Sequence, residues 1–260
     1  MPLINVPVGF VELYCLVLLR VTGLLLMLPV FGSLQLSRII KVGLISSFTL
    51  ALTIGLAQNQ PEIPLAGGAF ILAAIGELFF GLAAGFLVRW VAEAAVIAGQ
   101  MVGFQMGFAI VNVVDPMTGS SLSLMAAFQS RLVMIIFLAS GLYLPFMQAI
   151  ADSYQLVPFG MMHFGVQHSR AYVDLMGQAF RVALTLGGAP IVSLMLSKVV
   201  LGIIARTVPQ MNVFIVGFPL TIAVGFLVSA AMMPLFVKAV QLGFSESLNQ
   251  MIGFMGSAAP

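Results

Sequence analysis

The chain has 260 residues, of which 61% are hydrophobic and 7% are charged, and its formal net charge is +2. Soluble domains average about 45–50% apolar and about 25% charged residues, so this chain cannot cover its own surface in water and needs lipid or partner protein. Its small net charge provides no basic surface for nucleic acid. Hydrophobicity runs evenly along the chain without a linker, which predicts one membrane-associated, all-α unit over residues 1–260.

Six apolar stretches are long enough to cross a bilayer as helices, which takes about 20 residues. The third would be about 60 Å long, twice the thickness of the hydrocarbon core, so we expect it either to break or not to span in the ordinary way. A long polar and aromatic loop is expected from residue 152 to 170, and a weaker amphipathic tail after residue 240. The six stretches cover residues 8–31, 39–57, 65–108, 122–150, 171–206 and 213–240.

The sequence lacks the usual signatures of an enzyme. His163 and His168 lie in the predicted loop without the H-E-x-x-H pattern of zinc proteases. The phosphate-binding pattern G-x-x-x-x-G-K-[ST] and the nucleophile pattern G-x-S-x-G are also missing. We therefore expect no enzymatic activity, no metal and no cofactor.

Charged residues inside apolar helices are costly, so they usually have a partner or a task. Glu77, Arg89 and Glu93 lie in the third stretch, where Arg89 and Glu93 can pair because residues four apart share a helix face. A proton relay would gather several acids at one depth, whereas these are scattered, so we expect contacts of assembly with other subunits. The same expectation applies to Arg131, Asp174 and Arg181.

Small residues recur every fourth position in the third stretch, at Ala95, Gly99, Gly103 and Gly107. An earlier pair is Gly81 and Gly85. Such small faces allow two helices to approach closely in lipid, where no hydrophobic force drives them together. The sequence leaves open whether the partner helix belongs to this chain or to another subunit.

Three segments carry a resemblance to a known family: "AGQMVGFQMGF" followed by "VDP", "GELFFGLAAGFLVRW", and "RTVPQMNVFIVGFPLTI". They resemble the FliR family, the R subunit of the flagellar type III protein export gate. The resemblance covers essentially the whole chain, in order. The virulence type III secretion homologue is similar, but the flagellar form fits these motifs better.

The resemblance implies a fold of kinked helical hairpins, with a P-like part over residues 1–170 fused to a Q-like hairpin and tail over residues 171–260. It implies assembly with P and Q subunits, with one R subunit completing a ring of P subunits. Further implied partners are the B-type switch subunit of the apparatus, unfolded export substrates and membrane lipid. The implied location is the bacterial inner membrane at the flagellar basal body.

The resemblance also implies a plug loop in mid-chain that closes the channel. The apolar residues 108–114 would block the path, because methionine and glycine around them permit repacking and backbone movement. We expect Asp115-Pro116 to end the preceding helix, since the residue before a proline is pushed out of the α region. The residues that carry this implied role are Gln105, Met106, Gly107, Phe108, Val111, Val114, Asp115 and Pro116.

Three other interpretations remain open from the sequence. The mid-chain segment can be an ordinary loop packed on neighbouring helices. The chain can be a small-molecule transporter with a re-entrant loop, for which Pro190 and Pro219 offer helix breaks. It can also be a structural scaffold without a gating role.

Overall fold

The computed structural model describes residues 9–31, 37–57, 67–108, 123–160, 166–208, 210 and 212–258. Within these residues the chain forms eight α-helices, which confirms the all-α prediction. The helices are α1 Phe10–Met27, α2 Arg38–Ala57, α3 Gly67–Met106, α4 Leu124–Ala139, α5 Tyr143–Leu156, α6 Val166–Thr207, α7 Val213–Ala231 and α8 Met233–Ala258.

Among the residues that the structure describes, four helical segments are long and apolar enough to cross a membrane, judged by length and composition. They are α1, α2, α3 and the part of α6 from Tyr172 to Thr207. The pairs α4–α5 and α7–α8 are each bent at a short break, and each pair adds one more candidate span. The predicted set of membrane-length apolar helices is therefore present.

Three helices are continuous where the sequence offered a break. α3 continues without interruption for 40 residues, so of the two alternatives expected for this stretch the break is excluded, and a helix too long for an ordinary span remains. Pro190 lies inside α6 and Pro219 inside α7, and neither ends its helix. A proline inside a helix removes one backbone hydrogen bond, and both helices continue past it. The predicted loop after residue 152 is also shorter, because α5 extends to Leu156 and α6 begins at Val166.

Two predicted helices are instead divided. The stretch 122–150 is interrupted between α4 and α5, where Gly141 has a φ of 67°, a left-handed conformation that glycine adopts without strain. The stretch 213–240 is interrupted between α7 and α8, which are bent by 58°. Pro234 explains this bend, because it offers no N–H to the Ala230 carbonyl and its ring clashes with that turn. The expected weak tail belongs to α8, a single helix of 26 residues.

The chain folds into two compact units. The first consists of Met1–Arg89, Gly141–Val173 and Phe244–Pro260, and the second of Trp90–Ser140 and Asp174–Gly243. α3, α6 and α8 each contribute residues to both units. The resemblance implies a different division, near residue 170, into a P-like and a Q-like part. The two compact units do not test that likeness, so this division stays a prediction.

In the first unit, α1 packs between α2 and α3. Its buried side chains recur every three or four residues, as in Leu13, Leu16, Val17 and Val21, which is the spacing of one helix face. On the other side, glycines bring α1 and α3 into backbone contact. A Cβ on Gly23 would lie 2.8 Å from the Leu78 carbonyl oxygen, and one on Gly81 would overlap the Arg20 carbonyl.

Candidate functional site

The end of α3, in the second unit, is formed by a glycine in the left-handed conformation. Gly107 has a φ of 96°. Its N–H donates to the Phe104 carbonyl at 3.2 Å, and the N–H of Phe108 donates to the Gly103 carbonyl at 3.0 Å. This pair of bonds is a Schellman motif, which ends a helix and satisfies its last carbonyls. The expectation that Asp115-Pro116 ends the helix is therefore wrong, because Gly107 ends it first.

Side chains from α6 and α7 surround this helix end. Met106 is fully buried and packs with Val102, Met125 and Leu194, and Phe108 lies against this cluster, partly buried. Gly225 of α7 makes room for Met106, since a Cβ there would lie 2.7–2.9 Å from the Met106 side chain. At the end of α3, the packing against α7 is therefore made by a flexible methionine, Met106, beside a glycine, Gly225, rather than by branched side chains.

Two polar contacts complete this end of α3. The Thr221 hydroxyl points to two carbonyl oxygens, that of Met106 at 3.2 Å and that of Phe218 at 3.1 Å. The Lys198 ammonium donates to Gln105 Oε1. A cation near the C-terminal end of a helix also interacts favourably with the helix dipole. The Lys198 contact joins α3 to α6, and the Thr221 contact joins α3 to α7.

The chain returns to α3 at Ser123, directly before α4. The Ser123 N–H donates to Gln100 Oε1 at 2.7 Å, and its hydroxyl donates to the Gly99 carbonyl at 3.2 Å. The same hydroxyl caps α4 by accepting from the Ala126 N–H at 3.2 Å. Phe108 and Ser123, the residues on either side of the segment 109–122, are thus both hydrogen-bonded to the last two turns of α3. These two turns are about 12 Å long.

The small face predicted in α3 lies against α4 of the same chain. A Cβ on Gly99 would lie 2.5 Å from the Ala126 Cα, and one on Gly103 would overlap the Ser123 hydroxyl. Ala95 is fully buried. At Gly99 and Gly103, the helix that approaches closely belongs to this chain and not to another subunit.

The predicted plug residues fall into two groups. Gln105, Met106, Gly107 and Phe108 lie together at the end of α3. The other four lie outside the described residues, and the plug role of all eight stays a prediction. They are Val111, Val114, Asp115 and Pro116.

A second polar centre, in the first unit, was missed by the sequence analysis. Arg20 of α1 forms a buried ion pair with Glu77 of α3, with 1% and 3% of their side chains exposed. We expected Glu77 to contact another subunit, and this expectation is wrong. The sequence signal was present, since an isolated charge in an apolar helix implies a partner. The two residues are 57 positions apart, so no helical spacing indicated which partner.

The Arg20–Glu77 pair is saturated by hydrogen bonds. The three nitrogens of Arg20 donate to both Glu77 oxygens, to Ser153 and to the Val157 carbonyl, and Glu77 Oε1 also accepts from the Gly160 N–H at 3.2 Å. The guanidinium lies 4.7 Å from the centre of the Phe80 ring and 4.3 Å from that of Tyr154, distances at which a cation is attracted to a ring face. This arrangement joins α1, α3 and the end of α5, and it uses all five N–H groups of the guanidinium.

A profile of the bacterial export proteins, family 1, matches residues 11–247 of the chain. The chain belongs to this family. The match covers the end of α3, Ser123 and the Arg20–Glu77 pair. The FliR family resemblance is confirmed, and the chain is a membrane protein of a bacterial export apparatus rather than an enzyme.

Several relatives match over most of their own length. The flagellar biosynthetic protein FliR of Escherichia coli strain K12 is 28% identical, over 93% of this chain and 92% of the relative. That of Bacillus subtilis strain 168 is 29% identical over 94% and 95%. The Yop proteins translocation protein T of Yersinia pestis is 27% identical over 82% and 83%.

Proposed function

We propose that this chain is the R-type subunit of the flagellar type III export gate in the bacterial inner membrane. It would assemble with P and Q subunits into the channel that passes unfolded flagellar proteins. The flagellar assignment is supported by the two FliR relatives named above, which match over 92% and 95% of their length. The division into a P-like part and a Q-like hairpin near residue 170 belongs to the same proposal.

The gate itself is assigned to residues 109–122, which we call the gate loop, together with Phe108. The observation that carries this assignment is that the described residues on both sides of the gate loop are hydrogen-bonded to the last two turns of α3. Because these bonds belong to the residues that flank the gate loop, a change within residues 109–122 does not require α3 or α4 to unfold. Its first residues, 109–111 and 113–114, are uncharged and apolar, which suits a seal that excludes water.

Chain length supports the same role. The gate loop has fourteen residues, 109–122, so with its ends held together it can project at most about 23 Å, at about 3.3 Å per residue for each arm. A channel that admits a helix with its side chains must open to about 10–12 Å. The loop is therefore long enough to close such a channel from one side.

The small-molecule transporter is not supported by the helices that suggested it. Pro190 and Pro219 lie inside continuous helices, whereas binding sites of that class are formed where spanning helices are discontinuous. Membership of an export-protein family also weighs against that class. The pure scaffold remains an outcome of the experiment.

Deletion of residues 108–114 tests the gate. The deletion should make the complex conduct ions at rest while P and Q subunits still co-purify with the chain, because the buried cluster of Val102, Met106, Met125 and Leu194 is retained. Ion conductance of purified complexes in lipid bilayers is the measurement. A matched control replaces Ser120 and Ser121 by alanine, which leaves the apolar residues in place and should conduct as the wild type.

Assembled deletion complexes that hold conductance at the wild-type level would show that the seal lies elsewhere. The chain would then be a scaffold, or the seal would lie on another subunit.

A further inference from the structure

A small cavity in the second unit lies beside Pro190 of α6. Its volume is about 20 Å³, and one water molecule needs about 10–15 Å³ of such space. α4, α6, α7 and the first turn of α8 line it. The lining is mostly apolar, with two polar side chains, Gln129 of α4 and Ser229 of α7. The cavity therefore has room for one water and a few polar groups to bind it.

Both polar side chains at the cavity carry an unpaired oxygen. Gln129 Oε1 and the Ser229 hydroxyl oxygen are buried, and neither has a hydrogen-bond partner among the described residues. Only 4% of Gln129 is exposed. A buried polar atom without a partner is costly, because it has given up its bonds to bulk water. Each of these oxygens therefore points to a small polar ligand.

Pro190 adds a third group that needs a partner. Proline has no N–H, so it cannot donate to the carbonyl of Leu186, four residues earlier in α6. Leu186 is buried and also lines the cavity. In membrane helices, ordered water is one of the groups that satisfy a carbonyl freed by proline. The cavity thus collects groups that need partners from three helices.

We infer that this cavity is a binding site for one ordered water molecule, which joins α4, α6 and α7. The water donates to Gln129 Oε1 and to the Leu186 carbonyl, and it accepts from the Ser229 hydroxyl. Buried waters typically make about three hydrogen bonds, as this one does. A divalent cation fits the site poorly, because it takes about six oxygen ligands, usually including carboxylates. No Asp or Glu is among the described residues that line the cavity.

Stability measurements separate a hydrated cavity from a dry one, because the two predict opposite signs. Gln129→Met and Ser229→Ala each remove one polar partner and keep most of the packing. With water bound, each variant removes one bond of the water. The temperature at which the full chain unfolds in its purified complex should then fall by about 2–4 °C. In a dry cavity, each variant would remove an unpaired buried group, and that temperature would rise.

The double variant, Gln129→Met with Ser229→Ala, tests whether the two side chains share one ligand. Its shift should be smaller than the sum of the single shifts, because the two groups are coupled through the water. Gln148→Met, at an exposed position of α5, is the matched control and should leave the temperature unchanged. A cryo-EM map of the wild-type complex should show one density within hydrogen-bond distance of all three groups, and the double variant should lose it.

Three results would overturn the inference. The first is a higher unfolding temperature in either single variant. The second is additive shifts in the double variant. The third is a map that shows ordered waters elsewhere in the complex and none beside Pro190. If Gln129→Met fails to assemble, Ser229→Ala decides, since a lower temperature supports the water and an unchanged or higher one rejects it. None of these results depends on the proposed gate.

Discussion

The two polar centres of this molecule are built in opposite ways. In the first unit, the Arg20–Glu77 pair is buried, enclosed by aromatic rings and bonded at every nitrogen of the guanidinium. In the second, the end of α3 is held by single hydrogen bonds, one of them from the Lys198 ammonium, and by a methionine and glycines. The charged centre resists any change because separating its groups would leave a buried charge uncompensated. The end of α3 has no buried ion pair of this kind among the described residues, so single substitutions there cost less, which suits the proposed gate.

The largest effect should follow from breaking the ion pair on one side. Arg20→Met leaves Glu77 buried without its cation and should destabilise the chain by about 3–5 kcal/mol, enough to prevent assembly with P and Q subunits. The double substitution Arg20→Met with Glu77→Leu removes both charges and should restore much of the assembled complex. The amount of complex recovered from membranes is the measurement.

Arg38→Met provides the matched control for this prediction, because Arg38 is exposed in α2 and its loss leaves no buried charge. If Arg20→Met assembled as well as Arg38→Met, the ion pair would not stabilise the first unit. A double variant no better than Arg20→Met would show that the hydrogen bonds of Arg20 to Ser153 and Val157 matter more than the charge pairing.

The contrast also explains what could be predicted from the sequence. The glycine face of α3 indicated close helix approach, and the structure places Gly81 against α1 and Gly99 and Gly103 against α4. Such patterns are readable because they repeat along one helix. The Arg20–Glu77 pair joins two helices far apart in the chain, and its partner assignment depends on tertiary packing that no local period contains.

Helix ends were predicted less well, for a physical reason. Asp115-Pro116 was expected to end α3 because proline is a strong local signal, but Gly107 adopts the left-handed conformation first. Gly103, four residues earlier in the same helix, does not. Both are glycines of one stripe. Only contacts such as that of Gly107 with the Phe218 ring distinguish them. Likewise, Pro234 bends the chain at Met232, whereas Pro190 and Pro219 lie inside continuous helices.

An intermediate effect should follow from adding one methyl group to either centre. Gly81→Ala places a Cβ against the Arg20 carbonyl, and Gly103→Ala places one against Ser123; overpacking of this kind costs about 1–3 kcal/mol. Both variants should lower the temperature at which the complex dissociates. Gly103→Ala should in addition raise resting ion conductance, because Ser123 directly follows the gate loop. Gly81→Ala should leave the conductance unchanged.

Gly253→Ala is the control for both glycine variants, since nothing lies within 4 Å of a Cβ at that position of α8. Alanine is favoured over glycine inside a helix by up to about 1 kcal/mol, so this variant should be unchanged or slightly more stable. Equal conductance in the Gly81 and Gly103 variants would contradict the contrast between the two centres.

The smallest effect should come from Thr221, whose hydroxyl lies 3.2 Å from the Met106 carbonyl at the last residue of α3. Thr221→Val keeps the shape of the side chain and removes the donor, which should cost about 0.5–1.5 kcal/mol, the usual net contribution of one hydrogen bond. Thr221→Ser keeps the donor and should behave as the wild type. Assembly should be normal in both, since Met106 still packs beside Gly225.

Resting conductance should rise about two- to tenfold in Thr221→Val alone, because a weaker contact at the end of α3 favours the open gate. If Thr221→Val lowered the dissociation temperature without changing conductance, the end of α3 would only stabilise the fold. Any effect on the gate would then come from the side of the gate loop that is followed by Ser123.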